Sequence, residues 1–193
     1  NAIALTCRNC CSLWTSDRSG FAQLEFGFLP GGGDTASYLP FWRIEADVDG
    51  IPLASYADLV RAANLPKIPR EEWEHQRIHF WSPAFKIQPH KFLRLARALT
   101  LAQPDDPITP QIPKEPRQPI TLPASEAIEA VPSILATFLN PPQVFYPKLN
   151  ETTIRPNSML LVYIPFRQQG NELLHDAYKL TVNRNALRFG TDL

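Results

Sequence analysis

The sequence predicts an α+β fold, an antiparallel aromatic-rich sheet with a few helices and a polyproline II strap. Three observations carry that prediction. Short segments dense in aromatic and aliphatic residues, YLPFWRIEADV at 38–48 and MLLVYIPF at 159–166 among them, have the composition of half-buried strands. Helical spacing of apolar residues is clear at 55–64 and 89–100. Finally, Pro104, Pro107, Pro110, Pro113, Pro116 and Pro119 recur at every third position, which is the repeat of a polyproline II helix.

Along the chain, IALTC (3–7), FAQLEFGF (21–28), YLPFWRIEADV (38–48) and RIHFWSPAFKI (77–87) read as strands separated by turn residues. LPGGGDTAS (29–37) joins the second and third as a hairpin loop. It lacks the following Gly-Lys-Ser/Thr and helix that a phosphate cradle requires. In SYADLVRAAN (55–64) Ser55 is placed to cap a helix, and in PHKFLRLARALT (89–100) Pro89 suits the first turn. Phe92, Leu95, Ala96 and Leu99 then share one face, and Lys91, Arg94 and Arg97 form a second stripe, a solvated face with phosphate contact as its rival reading. PASEAIEAVPSILATFL (123–139) reads as a helix broken or restarted at Pro132, because a mid-helix proline has no N–H and clashes with the preceding turn. Strand returns at 159–166 and over 177–189, where Asn183-Arg184-Asn185 supplies a turn.

Proline sits inside three aromatic segments, at Pro40, Pro83 and Pro165. Each is expected at an edge or a bulge, since proline cannot donate to a ladder. YLPF at 38–41 and YIPF at 163–166 are alike enough to predict an internal pseudo-symmetry.

Polyproline II rises about 3.1 Å per residue, so the run at 104–119 reaches roughly 50 Å, enough to cross a domain. A free linker, a ligand for an aromatic-groove module and a strap over the protein's own sheet compete here. Ile108, Ile112 and Ile120 favour the strap, because a free linker has no use for regularly placed isoleucines. The expected organisation is a knuckle at 1–16 and a single α+β domain at 17–193, with the strap at 103–123.

The 193 residues include 19 basic and 19 acidic side chains, and 44% are hydrophobic. Balanced charge disfavours nucleic acid and anionic membranes as partners, and no apolar run approaches the roughly 20 residues of a membrane span. The chain begins NAIALTC and its sole methionine is Met159, so an excised segment is expected, with Asn1 and Ala2 left from a cleaved tag.

Cys7, Cys10 and Cys11 lie in ALTCRNCCSLW. A Cys-x-x-Cys pair after an apolar strand, followed by a tight turn, resembles one knuckle of a zinc ribbon, in which the turn aims both thiolates at one ion. The resemblance covers about a dozen residues and implies Cys7 and Cys10 as zinc ligands in a half-site. Ribbons carry two knuckles, and Cys11 stands where they usually have glycine. Either the first pair lies upstream, or a second chain completes the site, or the metal site has decayed into a structural turn. A redox pair or disulfide and free structural thiols are the other readings. An adjacent Cys-Cys pair is strained as a disulfide, which favours a reducing, cytoplasmic compartment.

Glu72, His75 and His79 would share a face if EEWEHQRIHF were helical, offering a rival metal site, although sheet-edge histidines are the plainer reading; His90 and His175 read as structural. No nucleophile elbow, metalloprotease helix or dinucleotide fingerprint occurs, and NET at 150–152 is a chance match to a glycosylation acceptor. The functional expectation is a non-enzymatic binding or assembly module of a larger protein, with a protein partner. Dimerisation through a shared metal is one form of it. The rival is an enzyme or small-molecule binder whose pocket is lined by Trp42, Arg43, Trp81 and Phe85. A third possibility is one part of a membrane-associated protein whose spanning portion lies elsewhere.

Overall fold

A computed structural model describes residues 3–7, 12–17, 20–31, 33, 36–104 and 115–189. The fold is α+β. Strands β1 (Ala4–Thr6), β2 (Leu13–Asp17) and β3 (Gly20–Leu24) form a small antiparallel sheet. The main sheet contains β4 (Phe26–Phe28), β5 (Ala36–Asp49), β6 (Phe80–Pro83), β7 (Thr153–Gln169), β8 (Glu172–His175) and β9 (Leu180–Asn183). Its spine is the antiparallel pair β5·β7, matched from Ala36↔Arg167 to Asp49↔Thr153 with one register shift between Glu45 and Ala46. β6 pairs with the outer edge of β5, while β4 and β8 share the outer edge of β7.

The loop 29–37 is therefore no hairpin. β4 runs parallel to β7 and does not pair with β5, so the chain leaves β4 and crosses over to enter β5. The rest of the main sheet is antiparallel.

Four prolines lie within these strands, and each falls where its missing N–H is harmless. Pro83 ends the edge strand β6. Pro156 adjoins a bulge, since Glu45 pairs with Ser158 and Ala46 with Pro156, leaving Asn157 as an extra residue in β7. Pro40 and Pro165 occupy the two central strands, contrary to the edge-or-bulge expectation. Tyr38 donates its N–H to the Pro116 carbonyl (2.8 Å) and accepts from Gln118 N (2.8 Å), so its polar backbone points away from β7. Tyr163 likewise accepts from Leu29 N (3.0 Å) on the far side of its strand. Hence Tyr38↔Pro165 and Pro40↔Tyr163 are non-hydrogen-bonded pairs of the β5·β7 ladder, in which no donor is called for.

The two similar motifs thus pair with each other about a local two-fold axis. The match extends to their flanks. Residues 116–118 bridge Tyr38 in parallel as β4 bridges Tyr163, and β6 pairs antiparallel beyond Pro40 as β8 does beyond Pro165.

Alternation along β5 and β7 divides the core into two faces. Tyr38, Trp42, Ile44, Leu161 and Tyr163 face one way, with Phe28 stacked on Tyr163 at 4.8 Å and edge-on to Tyr38 at 5.5 Å. Leu39, Phe41, Val162, Ile164 and Phe166 face the other, where Phe41 meets Phe85 (5.8 Å) and Phe166 (6.5 Å). The extra residue Asn157 flips the pleat, and Ile154 thereby joins the same face as Leu161.

Helices cover both faces. α1 (Tyr56–Ala62) starts at Ser55, whose hydroxyl accepts from Asp58 N (3.2 Å) while the Asp58 carboxylate accepts from Ser55 N (3.1 Å), a reciprocal cap. α2 (Pro89–Ala102) begins at Pro89 and buries Leu95, Ala96 and Leu99, the predicted face. α3 (Ala124–Glu129) and α4 (Val131–Ala136) are the segment restarted at Pro132. α5 (Pro142–Leu149) was not legible among its prolines, and α6 (Arg184–Phe189) replaces the turn expected at 183–185. There Asn183 Oδ1 accepts from Asn185 N (2.9 Å) and caps the helix. Among the described residues no helix is long and apolar enough to cross a membrane.

The described part of the strap, from Glu115 onward, is docked as predicted. Beyond the Tyr38 bridge, Ile120 is buried and its carbonyl accepts from Ile3 N (2.9 Å). Thr121 N donates to Ala84 O (3.0 Å), Thr121 Oγ1 accepts from Lys86 N (2.8 Å), and Trp42 Nε1 donates to Leu122 O (3.0 Å). The strap takes over the edge of β5 where β6 departs. Ile108 and Ile112 lie outside the described residues.

Candidate functional site

Cys7 follows β1 and its N–H donates to Ser12 O (2.8 Å), so the chain returns antiparallel into β2. The intervening turn, which contains Cys10 and Cys11, lies outside the described residues. Cys7 is a half-buried free thiol. The small sheet turns Leu13 into the core, against which Leu24 packs, and leaves Leu5 (62% exposed) and Phe21 (72%) in solvent. With Trp14 opposite Leu5 in the ladder, these residues give its outer face an apolar character.

Among the described residues no three His, Cys, Asp or Glu side chains gather to hold a metal ion. Glu72 lies in a single 3-10 turn, Glu71–Glu74, which ends at His75 short of His79, so Glu72, His75 and His79 share no helical face. His90 is exposed. His175 stacks on Tyr178 at 4.3 Å and is structural. In the basic stripe, Arg94 donates to Thr181 O (2.5 Å) and Arg97 to Thr137 O (3.1 Å), which ties α2 to β9 and to the end of α4.

Of the four residues expected around a pocket, Trp42, Trp81 and Phe85 are buried in the filled core. Arg43 is the exception, and it belongs to a polar cluster that sequence reasoning missed. The C-terminal end of α2 builds this cluster. Gln103, in the left-handed region at φ 45°, accepts from His79 N (2.9 Å) through Oε1 and donates to His79 O (2.6 Å) through Nε2. Thr100 Oγ1 accepts from Trp81 N (3.0 Å). A helix end thus supplies the hydrogen bonds that a neighbouring strand would have given to β6.

So fixed, His79 places Nδ1 3.3 Å from the Arg43 guanidinium, which also lies over the Trp81 ring at 6.0 Å. Nδ1 faces a permanent donor and acts as acceptor, which leaves the ring proton on Nε2. Burial, then the Arg43 charge, lowers the His79 pKa to about 4. Next to it Glu45 pairs with Arg77 and accepts from Ser158 Oγ (3.1 Å). The Arg77 guanidinium holds the Glu45 carboxyl below its ordinary range. Two hollows flank the cluster: one of about 310 Å³ beside Glu45, Arg77 and Asn157, and one of about 250 Å³ lined by Glu25, Arg43, His79 and Ser158. A neutral imidazole here can accept one proton, but the Ser158 hydroxyl is directed at a carboxylate and no activated nucleophile stands within reach among the described residues.

No family model, curated protein or solved structure matches the chain.

Proposed function

We propose that the chain is a non-enzymatic binding or assembly module of a larger protein, acting on a protein partner in the cytoplasm. Cys7 and Cys10 form half of a zinc site that a second polypeptide completes. The observation that carries this reading is the small sheet. It holds Cys7 at the base of a hairpin and carries the exposed Leu5 and Phe21, a pair of large apolar side chains more at home in an interface than in water. The packed state of Trp42, Trp81 and Phe85 supports the same reading, since all three rings are buried in the core. A shared site would make the module a dimer through isologous thiolates, or a heteromer if the partner is a different chain.

The test is zinc content and mass under non-denaturing conditions, with Cys7→Ser as the comparison. The expected result is about half a zinc ion per chain in a dimer, or one per chain when the completing segment is present, lost in the variant. A chain that stays monomeric and takes up no zinc in either form overturns the reading. A second reading, a small-molecule binder, draws on the neutral His79 beside Arg43 in the 250 Å³ hollow.

A further inference from the structure

Where the strap crosses β5, a pocket of about 300 Å³ opens between Pro116–Pro119, Ser37 of β5, Leu173 of β8 and the start of α6. Two arginines line it, Arg117 from the strap and Arg184 from α6, and both are half-buried. Every other arginine whose side chain is described directs its guanidinium to a carboxylate, a carbonyl oxygen or His79. Among the described residues Arg117 and Arg184 have no such partner. The Ser37 hydroxyl and the Gln118 carboxamide on the same wall are likewise without side-chain partners there. Partly buried positive charge without a counter-ion is costly, and two such groups at one concavity repel each other. An anion placed between them removes both penalties and can take forked hydrogen bonds from each.

We propose that this pocket is a binding site for a phosphate-type dianion, free or as the terminal group of a small organic phosphate. Two guanidiniums match a double charge, which a single carboxylate would leave half-neutralised. Pro119, which is exposed, would take an apolar body attached to the phosphate, with Leu173 and Leu187 buried in the wall behind it. The Arg117 charge reaches into the sheet: burial raises the Tyr163 hydroxyl to about 12, and Arg117 is the charge that opposes it. The site stands independently of the cysteine hairpin. Because Arg117 is flanked by the two strap bonds to Tyr38, an occupied site would also tighten the strap on β5.

The experiment is calorimetric titration with orthophosphate and with phenyl phosphate, against sodium chloride at matched ionic strength. Saturable one-to-one binding is expected for both phosphates, tighter for phenyl phosphate, and absent for chloride. Arg117→Ala and Arg184→Ala should each weaken it by about tenfold or more, as loss of a charge-assisted hydrogen bond implies. Arg155→Ala, which removes a surface arginine paired with Asp49, should leave it unchanged. If an alanine variant does not fold, the lysine variant at the same position keeps charge and stem but loses the fork, and must still weaken binding. No saturable heat with either phosphate, or binding that survives intact in both arginine variants, overturns the proposal.

Discussion

Acidification should destabilise this fold through one identifiable ring. His79 titrates at about 4 when folded and at 6.5 when unfolded, with burial as the first cause and Arg43 as the second. Since the folded value is the lower one, the unfolded chain takes up the extra proton between pH 6.5 and pH 4. Stability is fully present above that window and falls as pH falls through it. At 1.36 kcal/mol per pH unit the window amounts to about 3.4 kcal/mol, and because the ring is only half-buried, screening reduces this to about 1–2 kcal/mol. The charged groups facing the ring are Arg43 and Arg77, which oppose its protonation, and Glu45, which favours it. Glu45 is held below its ordinary value by Arg77, so as pH falls it loses its charge later than an unpaired carboxyl would. Urea unfolding of the parent and of His79→Gln, at intervals from pH 7.5 to pH 4.5, isolates the effect, because glutamine does not titrate and its amide oxygen can still accept from Arg43. The stability gap between the two proteins should narrow by about 1–2 kcal/mol over that range. Parallel pH profiles would refute the assignment.

Two further outcomes are expected. Phe41, fully buried between Phe85 and Phe166, should cost about 3–5 kcal/mol on replacement by alanine and lower the melting temperature by roughly 6–20 °C. In the same calorimetric scan Phe21→Ala, at a 72% exposed position, should stay within about 0.5 kcal/mol, and equal losses would contradict the core assignment. Thr121→Val leaves the Lys86 amide without its acceptor, so it should destabilise by about 1–3 kcal/mol. It should also speed tryptic cleavage after Arg117, a bond the docked strap is expected to shield in the parent; equal cleavage rates would mean the strap is not held there.

What could be read in the sequence was local. Ser55 with Asp58 three residues on, and Pro89 ahead of a 3.6-residue repeat, mark α1 and α2 because capping and periodicity act within a turn or two of chain. The break at Pro132 and the docking of Ile120 were legible for the same reason. The split of the 21–28 strand into β3 and a parallel β4 was not, since β4's partner is the distant segment Leu161–Tyr163 and nothing nearby signals a parallel strand. α5 was hidden because Pro141, Pro142 and Pro147 read as breakers, though the first two precede or open the helix, where no N–H is needed. Asn183 looked like a turn residue because capping and turning use the same side-chain acceptor. The polar cluster was beyond reach. Arg43 and Glu45 meet His79, Arg77 and Ser158 only through the registers Arg43↔Trp81 and Glu45↔Ser158, which the whole sheet determines. Cys7 follows β1 directly, and the rest of that turn, with Cys10 and Cys11, lies outside the described residues.

The self-pairing of YLPF with YIPF means that the middle of this single chain is organised like the seam of a symmetric dimer. In a true homodimer a substitution appears twice, once on each side of the axis, and its effect is doubled. Here the two sides are separate positions and are free to differ. Trp42, Arg43 and Ile44 beneath β6 answer by position to Arg167, Gln168 and Gln169 beneath β8, the former buried or half-buried and the latter in solvent. One arm of the symmetric frame is packed and carries the polar cluster at its end, while the other is surface.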